Sequence, residues 1–325
     1  KGRAGSSEGE AMSIFDNVFR DRRPKKSRFG SEAAYKRTKV DDDEKEKLTP
    51  REFGRRVAVG CTIVMLCVQC FRVYLKRHPP QDLLDYAASL PKRTEETRYQ
   101  VACSDKRFSE FVQGCSPSEC DRYVISNFIQ YDQIKELRDL AEFGMTHGGG
   151  AGGATILDFP SGALSYGEKF IDVHQVLASK GLELPMAHTR SFLEITRRVR
   201  ELIMRKYGLD VLYPTTPRFF SRMDGGRPAK TQHDEYWHNH IDAQQYPGFE
   251  YTALLYLNEQ GKDYKGGEFS FVDHAKGSTE EKLTTLKPEP GKLVVFTSGS
   301  ENVHRVHQVT AGKRYALTVA FTCDK

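Results

Sequence analysis

An uninterrupted run of apolar residues, positions 57–71, constrains the fold of this chain more than any other feature of the sequence. Arg55 and Arg56 precede the run, and Arg72 follows it. Extension to position 75 brings the run close to the roughly 20 residues that a helix needs to cross a bilayer. We therefore predict a transmembrane helix at 57–75.

A buried core helix and a cleavable signal peptide produce similar apolar runs. A signal peptide has a short leader and a cleavage site with small residues. Here more than fifty residues precede the run, and the sequence KRHPP at 76–80 follows it. Basic residues are more frequent on the N-terminal flank, which favours a cytosolic N-terminus. The prediction is an uncleaved signal anchor of a single-pass type II membrane protein.

Charge is concentrated before the apolar run. Residues 1–56 hold 16 Lys and Arg against 11 Asp and Glu, while the whole 325-residue chain has a net charge of +5. These residues lack apolar periodicity, which predicts a disordered basic cytosolic tail. Residues 73–325 carry 32 basic and 33 acidic side chains. This near-neutral balance gives no electrostatic reason to bind nucleic acid.

The placement of cysteines indicates a compartment. Three of the seven lie in the apolar run, which leaves Cys103, Cys115, Cys120 and Cys323. An even set with three members close together fits two disulfides in an oxidising lumen, and the alternative is reduced thiols in the cytosol. Three pairings are possible, and the sequence does not choose among them. We predict a lumenal stem and Cys-rich segment at 76–122, in the endoplasmic reticulum or Golgi.

The remaining residues, 123–325, form one predicted domain with helices followed by strands. Apolar residues at helical spacing predict helices at 126–143 and 190–207. Later apolar segments are short and separated by Gly, Pro, Asp and Asn, which predicts strands. The predicted strands are 219–223, 235–242, 250–258, 268–273, 283–287, 293–297, 304–309 and 314–323. The fold class is therefore α+β and mostly β, with a helical part at 123–210 and a sandwich or barrel at 211–325.

The sequence HDEYWHNHID at 233–242 contains the candidate metal ligands. Alternate side chains of a strand share a face, which would place His238, His240 and Asp242 together. His304 begins a later predicted strand. Two imidazoles and one carboxylate leave open coordination sites on iron, as in non-haem Fe(II) oxygenases. We predict His240, Asp242 and His304 as ligands, with His238 outside the ligand set.

Arg314 is the candidate for binding a co-substrate carboxylate. A dicarboxylic 2-oxo acid that chelates the metal needs a fixed cation at its far carboxylate, and a guanidinium can bind that group with two parallel hydrogen bonds. Ala316, Thr318 and Ala320 share the predicted strand face of Arg314 and are small, which leaves room for a ligand. Lys313 points to the opposite face, so we rank it below Arg314.

Five separated elements occur in one order between residues 217 and 323. They are His240-x-Asp242, Tyr256-Leu257-Asn258, Gly266-Gly267-Glu268-Phe269, His304-Arg305-Val306 and Gly312-x-Arg314-Tyr315-Ala316. This set resembles the prolyl 4-hydroxylase type of 2-oxoglutarate- and Fe(II)-dependent dioxygenase. The resemblance implies a double-stranded β-helix, or jelly roll, with iron on His240, Asp242 and His304 and 2-oxoglutarate on Arg314.

The resemblance also implies an activity and further binding residues. Tyr256 would donate its hydroxyl to the far carboxylate of 2-oxoglutarate, and Thr318 is a weaker candidate. The implied reaction hydroxylates a protein substrate, converts 2-oxoglutarate and O2 to succinate and CO2, and draws on ascorbate. No catalytic side chain is predicted beyond the metal centre. Collagen-type enzymes have a lysine where this chain has Arg314, so a collagen-like substrate is not predicted.

Two other functions stay open at the level of sequence. One is a catalytically silent, membrane-anchored binding protein that retains the oxygenase fold, for which 2-oxoglutarate would not change thermal stability. The other is a metal-dependent cupin that uses His238 as a ligand without 2-oxoglutarate. Dependence of turnover on 2-oxoglutarate separates the cupin from the oxygenase.

Overall fold

A computed structural model describes residues 49–77, 92–104, 113–274 and 280–325. The chain divides into two units between Val73 and Tyr74. The described part of the first unit, residues 49–73, consists almost entirely of helix α1, which spans Pro50–Arg77. Within it, Pro50–Tyr74 is long and apolar enough to be a candidate membrane span, and its side chains are exposed. Most of the predicted tail, residues 1–48, lies outside the described residues.

The described residues of the second unit form four further α-helices, fifteen strands and two short 3-10 helices, Gln232–Asp234 and Ser300–Asn302. The helices are α2 Tyr131–Met145, α3 Val173–Ser179, α4 Met186–Tyr207 and α5 Asp242–Gln245. The strands are β1 Glu95–Tyr99, β2 Arg122–Ser126, β3 Gly149–Gly150, β4 Ala154–Asp158, β5 Ala163–Gly167, β6 Lys169–Asp172, β7 Tyr213–Pro214, β8 Phe219–Asp224, β9 Tyr251–Tyr256, β10 Tyr264–Gly266, β11 Phe269–His274, β12 Glu281–Leu286, β13 Leu293–Thr297, β14 His304–Val306 and β15 Val309–Thr322.

The strands are arranged in two sheets. The large sheet has the order β1-β2-β13-β9-β15-β8-β4-β5-β3, with β6 paired to β5 and with β7 and β10 paired to β15. The small sheet has the order β12-β11-β14. Its strands and the central strands of the large sheet are antiparallel. This sheet-rich architecture with packed helices confirms the predicted α+β class.

The large sheet separates two apolar cores. On one face, side chains of helices α2, α3 and α4 pack against the strands, with Leu140 and Phe192 among the buried residues. On the other face, a second core joins the large sheet to the small one and includes Tyr256, Phe269 and Phe296. Central strands contribute to both cores because successive side chains point to opposite faces. The second core contains the candidate site.

Helix α4 follows from its apolar spacing, as predicted. Phe192, Ile195, Val199 and Ile203 recur every three or four residues and are all buried. Each such side chain contributes about 1.5–3 kcal/mol on burial. The helix ends at Gly208, whose φ of 66° suits glycine because it has no Cβ to clash.

The predicted start of the helix at 126–143 was wrong. Ser126 does not begin a helix but ends β2, which pairs with β1 and β13. Asn127 follows with φ 54°, and helix α2 begins only after Gln130. Ile129 packs from this turn onto the same core as the helix. The apolar spacing was therefore misleading because a turn and a helix bury residues against one surface.

Two disulfides involve the predicted stem: one lies within it, and the other connects it to the residue that follows β15. They join Cys103 to Cys120 and Cys115 to Cys323, which confirms the predicted number and selects one of the three pairings. The stem also contributes β1 to the large sheet. The predicted helical part, residues 123–210, contains strands β2 to β6 beside its helices.

Candidate metal and co-substrate site

The segment predicted as a strand, residues 235–242, is a loop. Only His240 forms a β-bridge there, opposite His304 at the start of β14. Asp242 begins the short helix α5. The alternation that grouped His238 with His240 and Asp242 was therefore wrong. The imidazole of His238 is exposed and contacts a nearby carboxylate at 2.9 Å, outside the group of candidate ligands.

His240, Asp242 and His304 nevertheless converge. Their candidate ligand atoms all lie within 4.8 Å of one another. The Nε2 atoms of His304 and His240 lie 3.5 and 3.8 Å from Oδ1 of Asp242. The β-bridge produces this arrangement by setting the two imidazole rings side by side, with centroids 4.3 Å apart. Two imidazole nitrogens and one carboxylate oxygen fit Fe(II) and leave further coordination sites open.

The atoms of these side chains that face away from the common centre have hydrogen-bond partners. In both histidines, Nδ1 contacts the backbone carbonyl two residues earlier, at 3.0 Å for His240 and 2.8 Å for His304. A carbonyl only accepts, so Nδ1 carries the proton and the Nε2 lone pair is available to a metal. Oδ2 of Asp242 accepts from the Thr252 hydroxyl at 2.7 Å, which leaves Oδ1 for the same metal.

Burial and mutual contacts favour the protonation states that bind a cation. Burial lowers the pKa of His240, and the nearness of His304 lowers it further. Burial alone would raise the pKa of Asp242, but its interactions with the two histidines and Thr252 outweigh burial and lower it. At neutral pH, His240 is therefore neutral and Asp242 is ionised, as metal binding requires.

Arg314 lies in the second core and is 1% exposed. Its Nε donates to the Gly267 carbonyl at 3.1 Å, and Nη1 lies 3.6 Å from the Met223 sulfur. Nη2 is buried without a hydrogen-bond partner among the described residues. Gly267 has a φ of 71°, and a Cβ there would lie 2.9 Å from Cδ of Arg314. A glycine is therefore needed for this close approach, and a register shift between Lys265 and Gly266 forms a bulge just before it.

Two tyrosine hydroxyls in the same core, those of Tyr256 and Tyr264, are also buried without a partner in the described part of the chain. The ring of Tyr256 lies 5.2 Å from the guanidinium carbon of Arg314. Burial raises the pKa of Tyr256, and it raises that of Tyr264 to about 12 although Arg314 opposes the shift. Both hydroxyls are thus donors at neutral pH. Because a buried unpartnered donor costs about 1–3 kcal/mol, three of them near one another indicate a site for ligand oxygens.

Tyr264 was not predicted from the sequence. It lies in the three-residue strand β10, opposite Gly312 of β15. A strand of three residues is too short to show an alternation of apolar and polar side chains. The only signal in the sequence was that Tyr264 lies two residues before the pair Gly266 and Gly267.

The other two residues considered near Arg314 differ in exposure. Thr318 is half-buried, and it lies on the face of β15 that also carries Arg314 and Ala316, opposite Leu254. Its role in ligand binding stays a prediction. Lys313 is exposed on the opposite face of the strand, which agrees with its lower ranking.

Aromatic side chains surround the metal-binding end of the core. The ring of Phe269 stacks on that of His304 with centroids 5.1 Å apart, and the centroid of the Phe296 ring lies 4.9 Å from that of His304 in an edge-on orientation. All three side chains are buried. These contacts fix the orientation of the imidazole and keep water away from it.

A sequence model of the 2OG-Fe(II) oxygenase superfamily matches residues 226–322, which include the three converging residues, Arg314 and both tyrosines. The chain belongs to this superfamily and is a 2-oxoglutarate-dependent dioxygenase that uses Fe(II). It is 41% identical over 230 residues to the protein of Xenopus tropicalis called 2-oxoglutarate and iron-dependent oxygenase domain-containing protein 3, and the match covers 70% of each chain. The predicted family and the predicted cofactors Fe(II) and 2-oxoglutarate are confirmed, while the use of ascorbate stays a prediction.

Two further similarities involve prolyl hydroxylases. The chain is 31% identical over 222 residues to prolyl 3-hydroxylase 1 of Mus musculus, which covers 62% of this chain and 28% of that protein. A solved prolyl hydroxylase from Trichoplax adhaerens, in complex with a hypoxia inducible factor peptide fragment, is similar with a TM-score of 0.42 and 19% identity. That comparison covers 62% of this chain and 83% of the solved chain.

Proposed function

We propose that this dioxygenase is anchored in a membrane and hydroxylates a protein substrate, in the manner of prolyl 4-hydroxylases, in the lumen of the endoplasmic reticulum or Golgi. The observation that carries the enzymatic part is the combination found in one apolar core. Three side chains that could ligate a metal converge at one end. Near Arg314, three buried donors have no hydrogen-bond partner among the residues that the structure describes.

Fe(II) and 2-oxoglutarate, when bound, supply the oxidising chemistry that turns O2 and 2-oxoglutarate into CO2 and succinate and inserts one oxygen into a substrate C–H bond. In this proposal, His240, Asp242 and His304 hold the metal. Arg314 and Tyr256 bind the far carboxylate of 2-oxoglutarate, together with Tyr264, and Thr318 lines the same cleft. The protein thus orients the co-substrate and excludes water, and no further side chain acts as acid or base.

The membrane and the compartment are supported by two separate features. Helix α1 contains a segment long enough to span a bilayer, with more basic residues on its N-terminal side. The second unit carries two disulfides, which persist in oxidising compartments. Both features fit a type II orientation with the enzyme domain in the lumen.

A protein substrate is supported by the relative named prolyl 3-hydroxylase 1. The test compares lumenal proteins from cells with the active enzyme and from cells with the Arg314→Ala variant, by mass spectrometry for gains of one oxygen. We expect hydroxylated prolyl residues only with the active enzyme, and the fragment ions give the carbon that is modified. Ascorbate should increase the yield. An unchanged set of hydroxylated peptides would refute the protein substrate.

Orientation can be tested with introduced glycosylation acceptors, because the sequence contains no Asn-x-Ser/Thr. The pair Gly181→Asn and Glu183→Thr creates one between α3 and α4, where a side chain at 181 meets nothing within 4 Å. Ala4→Asn, before Gly5 and Ser6, creates one in the tail. We expect glycosylation of the first variant only, and the reverse result contradicts the type II orientation.

A further inference from the structure

Arg122 on β2 is a buried arginine that forms an ion pair with Asp273 beside the second core. It is 2% exposed. Its Nη1 and Nη2 donate to the two carboxylate oxygens of Asp273 at 3.0 and 2.6 Å, and its guanidinium lies 4.1 Å from the centroid of the Phe271 ring. Burying a guanidinium costs free energy unless its donors are paired. A buried arginine at this position therefore calls for a functional or structural explanation.

The remaining donors of Arg122 reach the turn that precedes β14. Nε donates to Oδ1 of Asn302 at 2.6 Å, and Nη2 donates to the backbone carbonyl of Glu301 at 3.1 Å. Asn302 is itself buried, and its amide group donates to the carbonyl and hydroxyl of Thr297 at 2.9 and 2.8 Å. One guanidinium thus binds the turn at two points, the side chain of Asn302 and the backbone carbonyl of Glu301.

The same turn presents the backbone carbonyl of Asn302 to Nδ1 of His304 at 2.8 Å. That contact fixes which nitrogen of His304 carries the proton and how its ring is oriented. Phe271, over which Arg122 lies, also contacts the His304 ring edge-on. Hydrogen bonds to the outer nitrogen of a metal-ligating histidine tune its affinity for the metal.

We propose that Arg122 is a positioning residue for the metal ligand His304, acting through Asn302. The planar fork of the guanidinium spans Asp273 on one side and the turn on the other. An ammonium group has no such fixed geometry and cannot hold both. The inference rests on the proposed role of His304, and its test separates the two claims.

The test uses the full-length protein in detergent, stripped of metal and titrated with Co(II), whose absorbance reports both affinity and ligand geometry. Arg122→Lys should weaken Co(II) binding about tenfold or more and alter the spectrum. Arg198→Lys is the matched control. Arg198 likewise donates to an amide oxygen and a backbone carbonyl, at 3.1 and 2.8 Å, and lies 5.0 Å from the Phe128 ring, but it contacts the helical side of the domain.

We expect both lysine variants to lose thermal stability and only Arg122→Lys to lose Co(II) affinity. If Arg122→Lys binds Co(II) with the affinity and spectrum of the wild type, the inference is overturned. Should that variant fail to fold, Asp273→Asn decides: it frees the outer side of the fork at a partly exposed site and should weaken Co(II) about threefold. An unchanged affinity in Asp273→Asn then overturns the inference. Tight Co(II) binding by His304→Ala would instead show that His304 is not a metal ligand, which contradicts the proposed function.

Discussion

The two ends of the candidate site differ in how completely the protein satisfies its own polar groups. Around His240, Asp242 and His304, the outer polar atoms are hydrogen-bonded and the inward atoms remain for a metal. Around Arg314, three donors are buried with no hydrogen-bond partner among the described residues. The first end is organised before a ligand arrives, and the second is complete only with one.

This difference assigns separate energetic roles to the two ends. At the metal end, hydrogen bonds fix the orientation of the candidate ligand side chains. This raises the affinity for a metal because fewer side chains must be ordered on binding. The Arg314 end carries an unfavourable desolvation of about 1–3 kcal/mol per unpartnered donor, which the carboxylate of the proposed co-substrate would remove. Substitutions at the first end should therefore change metal affinity, and those at the second should change affinity for 2-oxoglutarate.

The largest expected effect is loss of a ligand. Asp242→Ala should reduce succinate formation more than about 100-fold, since removal of a mere supporting partner already costs 10- to 100-fold. Glu235→Gln, which changes an exposed carboxylate of the neighbouring loop, serves as the control and should retain activity. Substantial turnover by Asp242→Ala at ordinary Fe(II) concentrations would break the assignment of the metal end.

Next comes the cation at the other end. Arg314→Lys should raise the KM for 2-oxoglutarate about 30-fold, because hydrogen bonds to a charged group contribute about 1.5–3 kcal/mol. Metal affinity, measured separately, should stay within about twofold. The adjacent Lys313→Met variant changes the exposed face of the same strand and should leave KM unaltered. Equal effects of the two substitutions would show that the orphaned guanidinium nitrogen is not the binding group.

A smaller effect is expected from the hydrogen bond that supports Asp242. Thr252→Val should weaken metal binding about tenfold without changing the KM for 2-oxoglutarate at saturating Fe(II). Thr196→Val is a matched control, since Thr196 is also buried but donates to a carbonyl within α4. It should lower only thermal stability. Loss of metal affinity in both variants would mean that general loosening, not this bond, controls the metal end.

The smallest effect has opposite signs in two measurements. Tyr264→Phe should stabilise the ligand-free protein by about 1 kcal/mol, because it removes an orphaned hydroxyl, yet raise the KM for 2-oxoglutarate about fivefold. Tyr251→Phe removes a buried hydroxyl that donates to the Cys115 carbonyl at 2.7 Å. That control should instead destabilise the protein by about 1 kcal/mol. Destabilisation by Tyr264→Phe would mean that its hydroxyl already has a partner.

Local patterns in the sequence predicted much of the fold. Helix α4 and strands β8 and β13 were found within a few residues because apolar spacing and turn residues act over short distances. The same reasoning failed for residues 235–242, where a single bridge to His304, sixty-four positions after His240, replaces a strand. In this segment the presence of histidine and aspartate correctly indicated the candidate ligands His240 and Asp242, although the predicted strand was wrong.

Residues whose importance depends on distant partners were not predictable. Arg122 and Asn302 are 180 positions apart, and no local pattern marks an arginine in a strand as a buried one. Tyr264 is defined by its nearness to Arg314, fifty positions later, and its own strand is too short to show a face. A single sequence shows which side chains are chemically able to bind a ligand. Contacts between residues far apart in the chain decide which of these side chains lack a hydrogen-bond partner within the protein.

The bond between Cys115 and Cys323 closes a loop of 208 positions and brings the two Cα atoms to 5.7 Å. A protease that cuts any exposed connection inside this loop would leave both fragments covalently attached. A nicked molecule would thus migrate as a single band until a reductant is added. The same bond holds Cys323 beside Cys115, so a tag fused after Lys325 would lie near Cys115.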